Sequence, residues 1–267
     1  SRSRTQGTGR WEIYDLFPDG TLLAGLEGGL GWELFAVADD DTQRSLVRRE
    51  RAATGASVSH DGRSIAIPIV RPAPAILIHD VVDNRNRTIG VSEPHSLLDW
   101  SRDGRHIAAM TTNSADHFFI VDVESGEVRI VTLQCGDQCE FAWEHIRFGP
   151  EWPYAAVTSE VDSWIVNVET GQLRHVATDT WGILDWQDSS IYVSRGRGQT
   201  DWPGFVLFRV PSDGGPEERL LDLPVACADL RISRDARRAV CSMDESRLDL
   251  RLVDGLGPGS PGGAIRK

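Results

Sequence analysis

Three features of the sequence predict an all-β fold: a six-bladed β-propeller of four-stranded antiparallel blades, its ring closed by pairing of the N- and C-terminal segments. A hydrophobic slot recurs at intervals of roughly 40–50 residues, the period of propeller blades. An Asp-Gly turn follows the slot, and Gly accepts the positive φ that a tight hairpin needs. About half a period later comes a second turn, also carrying Gly, that opens onto a more polar strand.

Leu16, Val58, Trp100, Phe148, Trp186 and Ile232 hold the slot, each closing the first strand of a unit. The turns that follow are Phe17-Pro18-Asp19-Gly20, Ser59-His60-Asp61-Gly62 and Ser101-Arg102-Asp103-Gly104. They degenerate to Gly149-Pro150-Glu151, Gln187-Asp188-Ser189 and Ser233-Arg234-Asp235-Ala236. Second strands are small and branched, as in Ser64-Ile65-Ala66-Ile67 and Tyr154-Ala155-Ala156-Val157, which suits a crowded space between stacked sheets. The third strand and its turn are nearly duplicated: Asp122-Val123-Glu124-Ser125-Gly126 matches Asn167-Val168-Glu169-Thr170-Gly171. Such units use nearly the whole chain, so residues 1–256 are expected to form one propeller domain, followed by a Gly/Pro-rich tail at 257–267. Gly257 to Gly263 is unsuited to a strand. The fourth strand of the last unit is therefore expected from residues near Trp11, which would remove the exposed edges of an open ring.

The Ser-x-Asp-Gly-Arg-x-Ile-Ala pattern at Ser101–Ala108, with Val210-Pro211-Ser212-Asp213-Gly214-Gly215, resembles the TolB-like (WD40-like) β-propeller repeat over residues 11–255. The resemblance implies architecture more than activity, because such propellers serve as scaffolds, sensor domains and accessory domains of peptidases. The fourth and fifth units depart from it by losing Asp-Gly, and the first has Leu16 where the family favours Trp.

The chain has 267 residues, 40% of them hydrophobic and 25% charged, which is enough to bury a full core. No apolar run is long enough for a transmembrane helix. The sequence begins at Ser1 without an initiator Met, and the expectation is that an N-terminal segment has been removed or that the chain lies within a longer protein. A net charge of −12 argues against nucleic-acid binding, which needs a basic face to release counterions. Lys267 is the only lysine, and the arginines are scattered rather than patterned.

The four cysteines are candidates for two disulfides, Cys135 with Cys139 and Cys227 with Cys241, and hence for an oxidising compartment, periplasmic or secreted. Unpaired thiols packing as small apolar groups are the alternative, as is zinc on Cys135, Cys139 and His145, although no fourth ligand is evident. Asp39-Asp40-Asp41 reads as an ordinary acidic turn and Gly25 to Gly31 as a loop. No Gly-x-Ser-x-Gly elbow, His-Glu-x-x-His, phosphate loop or dinucleotide fingerprint occurs, and no cofactor or metal is expected.

Tryptophan is the one outlier in composition, with nine. Trp100, Trp143 and Trp186 are expected in the core, and Trp32 and Trp164 between blades. Trp152, Trp181 and Trp202 fall in loops, where tryptophan can anchor a partner protein. His95 and Glu140 enter inner strands and are expected to ring one mouth of the channel, a further place for a partner or small ligand. The leading expectation is a non-catalytic scaffold that docks a protein outside the cytoplasm. The alternatives are a lyase or glycan-acting hydrolase using the channel mouth near His95, and a sensor or accessory domain of a longer chain.

Overall fold

The computed structural model describes residues 9–28, 31–40, 42–49, 55–70, 72–93, 97–110, 116–136, 143–159, 162–180, 182–196, 205–222, 228–233, 238–242, 251–254 and 264–265. They form four-stranded sheets, each built from four consecutive strands. The first holds β1 (Gly9–Leu16), β2 (Leu22–Gly28), β3 (Gly31–Val37) and β4 (Gln43–Arg49). The second holds β5 (Ser57–Val58), β6 (Ser64–Ile69), β7 (Ala75–Asp80) and β8 (Arg85–Gly90), and the third β9 (Leu97–Trp100), β10 (His106–Met110), β11 (His117–Asp122) and β12 (Val128–Thr132). The fourth holds β13 (Trp143–Phe148), β14 (Tyr154–Ser159), β15 (Asp162–Asn167) and β16 (Leu173–Thr178), and the fifth β17 (Gly182–Gln187), β18 (Ser190–Gly196), β19 (Phe205–Pro211) and β20 (Glu218–Asp222). A last sheet holds β21 (Ala228–Ile232), β22 (Arg238–Ser242), β23 (Arg251–Asp254) and β24 (Ala264–Ile265). Two compact units result, one of residues 1–52, 196–207 and 219–267, the other of 53–195 and 208–218.

The expectation of six four-stranded blades, closed by pairing of the N- and C-terminal segments, is corrected on two counts. Five sheets are full blades, with outer strands of 7, 6, 5, 6 and 5 residues in β4, β8, β12, β16 and β20. In the last sheet β24 is only 2 residues long and pairs Ile265 with Val253 and Ala264 with Asp254. The propeller thus has five full blades rather than six. Nor does the N-terminal segment complete the last sheet. Gly9–Leu16 pairs along its length with β2 as the first strand of its own sheet.

The reason lies in β1 itself. Trp11, Ile13 and Leu16 are buried with Leu22, Ala24, Val37 and Val240 in one core cluster. The Asp19-Gly20 turn brings β2 back onto β1, with the Gly20 amide donating to the Phe17 carbonyl at 2.9 Å. A local hairpin costs far less loop-closure entropy than pairing the two ends of the chain. Arg231 Nε still donates to the Tyr14 carbonyl at 2.8 Å, so β1 and β21 meet side by side without sharing a ladder.

Burial explains the strand composition. β6 and β11 are buried along their centres on both faces, so they read as continuous hydrophobic runs. Outer strand β8 exposes all but Ile89 and is polar. Ala66, Ala108, Ala109, Ala155 and Ala156 are fully buried, where larger side chains would push the sheets apart.

The Asp-Gly turns are built alike. Ser59 Oγ donates to Asp61 Oδ1 at 2.7 Å and accepts the Ser64 amide at 2.9 Å. Ser101 repeats this with Asp103 at 2.6 Å and His106 at 2.9 Å, and Gly62 and Gly104 adopt φ of 73° and 70°. Desolvation pushes the Asp61 and Asp103 carboxyls up, but the Ser hydroxyls and the Arg63 and Arg105 amides outweigh it and hold both below the usual value. A carboxyl depressed in the folded state contributes stability above its unfolded pKa and loses it as pH falls through the folded one. Thermal melts are therefore expected to show a Tm that falls below about pH 4, and the double variant Asp61→Asn, Asp103→Asn to show a flatter profile in that window. Equal slopes would contradict the assignment.

Candidate functional site

Within the second unit, neighbouring sheets are tied by side chains that cap one another's backbone. Trp100 Nε1 donates to the Ser57 carbonyl at 3.0 Å, and the Phe148 amide donates to Asp99 Oδ2 at 2.6 Å. Arg147 Nε reaches the Leu184 carbonyl at 3.3 Å, and Gln134 Nε2 donates to the Thr170 carbonyl at 2.8 Å. These ties fix the tight turns relative to one another, and the turns carry the candidate surface.

Its centre is Trp152, in the turn between β13 and β14. The indole stacks on the His106 ring at 4.1 Å between centroids and lies 6.0 Å from the Phe148 ring. Its Nε1 donates to Glu169 Oε1 at 2.9 Å. Held by a ring stack and at its polar edge, the side chain nonetheless keeps 38% of its surface exposed, and Tyr154 beside it keeps 43%. Val82, in the turn between β7 and β8, is 65% exposed. Large apolar groups held rigid and left in water are what a docking surface needs, because little conformational entropy remains to be lost.

The electrostatics beneath the indole are ordered too. His106 Nε2 lies 3.9 Å from Asp122 Oδ2, while its buried Nδ1 has no hydrogen-bond partner. The Ser125 amide and hydroxyl hold the Asp122 carboxyl below its usual value.

Beside Trp152 lies a cavity of about 860 Å³. Tight turns of three sheets line it: Arg102 from β9–β10, Glu151 from β13–β14, Gln172 from β15–β16, Asp188 from β17–β18 and Ser212 from β19–β20. Trp186 forms part of the wall, and Gly149 lets it approach, since a Cβ there would meet the indole carbons at 2.9 Å.

Of the side chains singled out from sequence, Trp152 is the partner-binding candidate the structure describes. His95, Glu140, Trp181 and Trp202 lie outside the described residues, as do Cys139 and Cys227. Cys135 is buried after β12, and among the described residues no cysteine is free. Cys241 lies in β22, its backbone paired with Arg251. Trp32, Trp100 and Trp186 are buried as expected. Among the described residues no group of three His, Cys, Asp or Glu could hold a metal ion. Tyr154, Arg102, Arg174 and the His106 stack escaped sequence reasoning. The available signal was the fourth unit's departure from the repeat, where Pro150-Glu151-Trp152-Pro153 replaces Asp-Gly and places an indole in the turn.

No family model matches the chain, and no curated protein matches it. Solved structures do. TolB from Acinetobacter baumannii superposes with a TM-score of 0.68 at 13% identity, over 99% of this chain and 67% of that one. The fold is that of a β-propeller. The oligogalacturonate lyase from Vibrio parahaemolyticus gives 0.63 at 14% identity over 94% and 77% of the two chains. A chain of the mitotic checkpoint complex gives 0.58 at 14% identity over 94% and 93%. At such identities the likeness speaks to the propeller fold and not to activity. Among the described residues no helix is long and apolar enough to cross a membrane.

Proposed function

We propose that this propeller is a non-catalytic interaction module, docking a partner protein through the turn surface around Trp152, and that it works outside the cytoplasm. The observation that carries the reading is the indole itself, stacked on His106, bonded to Glu169 and still 38% exposed. Fold likeness to TolB and to a chain of the mitotic checkpoint complex supports the docking role, since the latter is part of an assembly. The proposed setting rests on the expected cysteine pairing. A catalytic reading would need histidines and carboxylates converging on one point; among the described residues His117 meets Asp116 at 2.7 Å and Glu93 at 3.6 Å, a single histidine on two largely exposed carboxylates.

A photoreactive residue in place of exposed Thr170, beside Glu169, tests this in the native host. One partner is expected to crosslink at constant stoichiometry and to be lost in the Trp152→Ala background. Crosslinking that is unchanged in that background would overturn the proposed site.

A further inference from the structure

We propose that the cavity among the tight turns of the second unit binds an uncharged oligosaccharide, a role separate from docking at Trp152. Its volume of about 860 Å³ falls within the range of small-ligand sites. The charges on its wall cancel: Arg102 and Arg174 stand against Glu151 and Asp188. It therefore favours neither anions nor cations. Arg102 Nη1 lies 3.9 Å from Asp188 Oδ1, too far for a hydrogen bond, so a hydroxyl that both donates and accepts can bridge the two.

The amides fit the same ligand. Asn167 Oδ1 is committed to the Glu169 and Thr170 amides at 2.9 and 3.1 Å, which leaves its NH₂ as the part a ligand can use. Gln172 is exposed on the wall and offers both a donor and an acceptor. Tyr154, with 43% of its surface open, supplies ring surface for the apolar face of a sugar ring, and the buried Trp186 backs the wall. An extended peptide fits less well, because it would add to an unpaired backbone edge. Here the backbone is already paired: the Gly149 amide donates to the Tyr154 carbonyl and the Ser212 amide to the Ser189 carbonyl, both at 2.8 Å.

The test titrates the full chain with cellotetraose and chitotetraose, followed by calorimetry and saturation-transfer NMR, with tetragalacturonate as the anionic comparator. The proposal expects saturable binding of at least one neutral probe with a Kd of about 1 mM or tighter. Tetragalacturonate should bind about tenfold more weakly. Tyr154→Ala should weaken the neutral probe by about tenfold, whereas Tyr154→Phe retains it. Trp152→Ala should leave sugar affinity unchanged, which separates this proposal from the docking one. Absence of saturation with both neutral probes, tighter binding of tetragalacturonate, or unaltered affinity in a folded Tyr154→Ala variant would overturn it.

Discussion

Gly171→Ala is expected to lower the melting temperature far more than Gly126→Ala, although the two glycines occupy the same place in near-duplicate turns. Both have φ of 75°. Each substitution therefore forces alanine into the left-handed region at about 1–2 kcal/mol. Around Gly126 nothing lies within 4 Å of the added Cβ. At Gly171 the Cβ would sit 1.9 Å from the Thr132 carbonyl oxygen, a backbone atom of the preceding blade. Relief requires moving one blade against the next and breaking the 2.8 Å bonds from Gln134 to the Gly171 and Thr170 carbonyls. Overpacking of that kind adds about 1–3 kcal/mol. Paired thermal melts decide it, and equal losses in the two variants would show that the contact between blades does not matter.

Trp100 carries the second large effect. The side chain is buried, and its indole N–H donates to the Ser57 carbonyl in the neighbouring sheet. Trp100→Ala is expected to cost about 3–5 kcal/mol by opening a cavity. Trp100→Phe keeps most of the packing but removes the indole N–H bond to the Ser57 carbonyl, a net loss of about 0.5–1.5 kcal/mol. Denaturant melts of the two variants separate the contributions. A Trp100→Phe variant as stable as the parent would show that the bond between sheets contributes nothing.

How much of this was legible follows from how far each signal reaches along the chain. The hairpins are local, so Ser59-x-Asp61-Gly62 and Ser101-x-Asp103-Gly104 announced their turns, and the slot residues Trp100 and Trp186 announced the core. The ends were misjudged because strand order there is decided by competition. Residues 9–16 have a matching partner one turn away in β2, and that local pairing wins over closure with the last sheet. The surface was legible only in part. Trp152 stood out as a tryptophan next to proline, but its support comes from His106 in one sheet and Glu169 on a different hairpin. The wall of the cavity is drawn from turns of three neighbouring sheets, and no periodicity within the chain brings Arg102 toward Asp188.

The most direct measurement is the affinity of the crosslinked partner for the parent chain and for Trp152→Ala, by calorimetry, beside the melting temperature of each. Loss of a rigid aromatic anchor at the centre of an interface costs about 2 kcal/mol or more, an affinity loss beyond tenfold. That loss is expected with both proteins folded and a Tm lowered by only a few degrees, because the indole is 38% exposed and lies on a turn. Equal affinity in two folded proteins would contradict it.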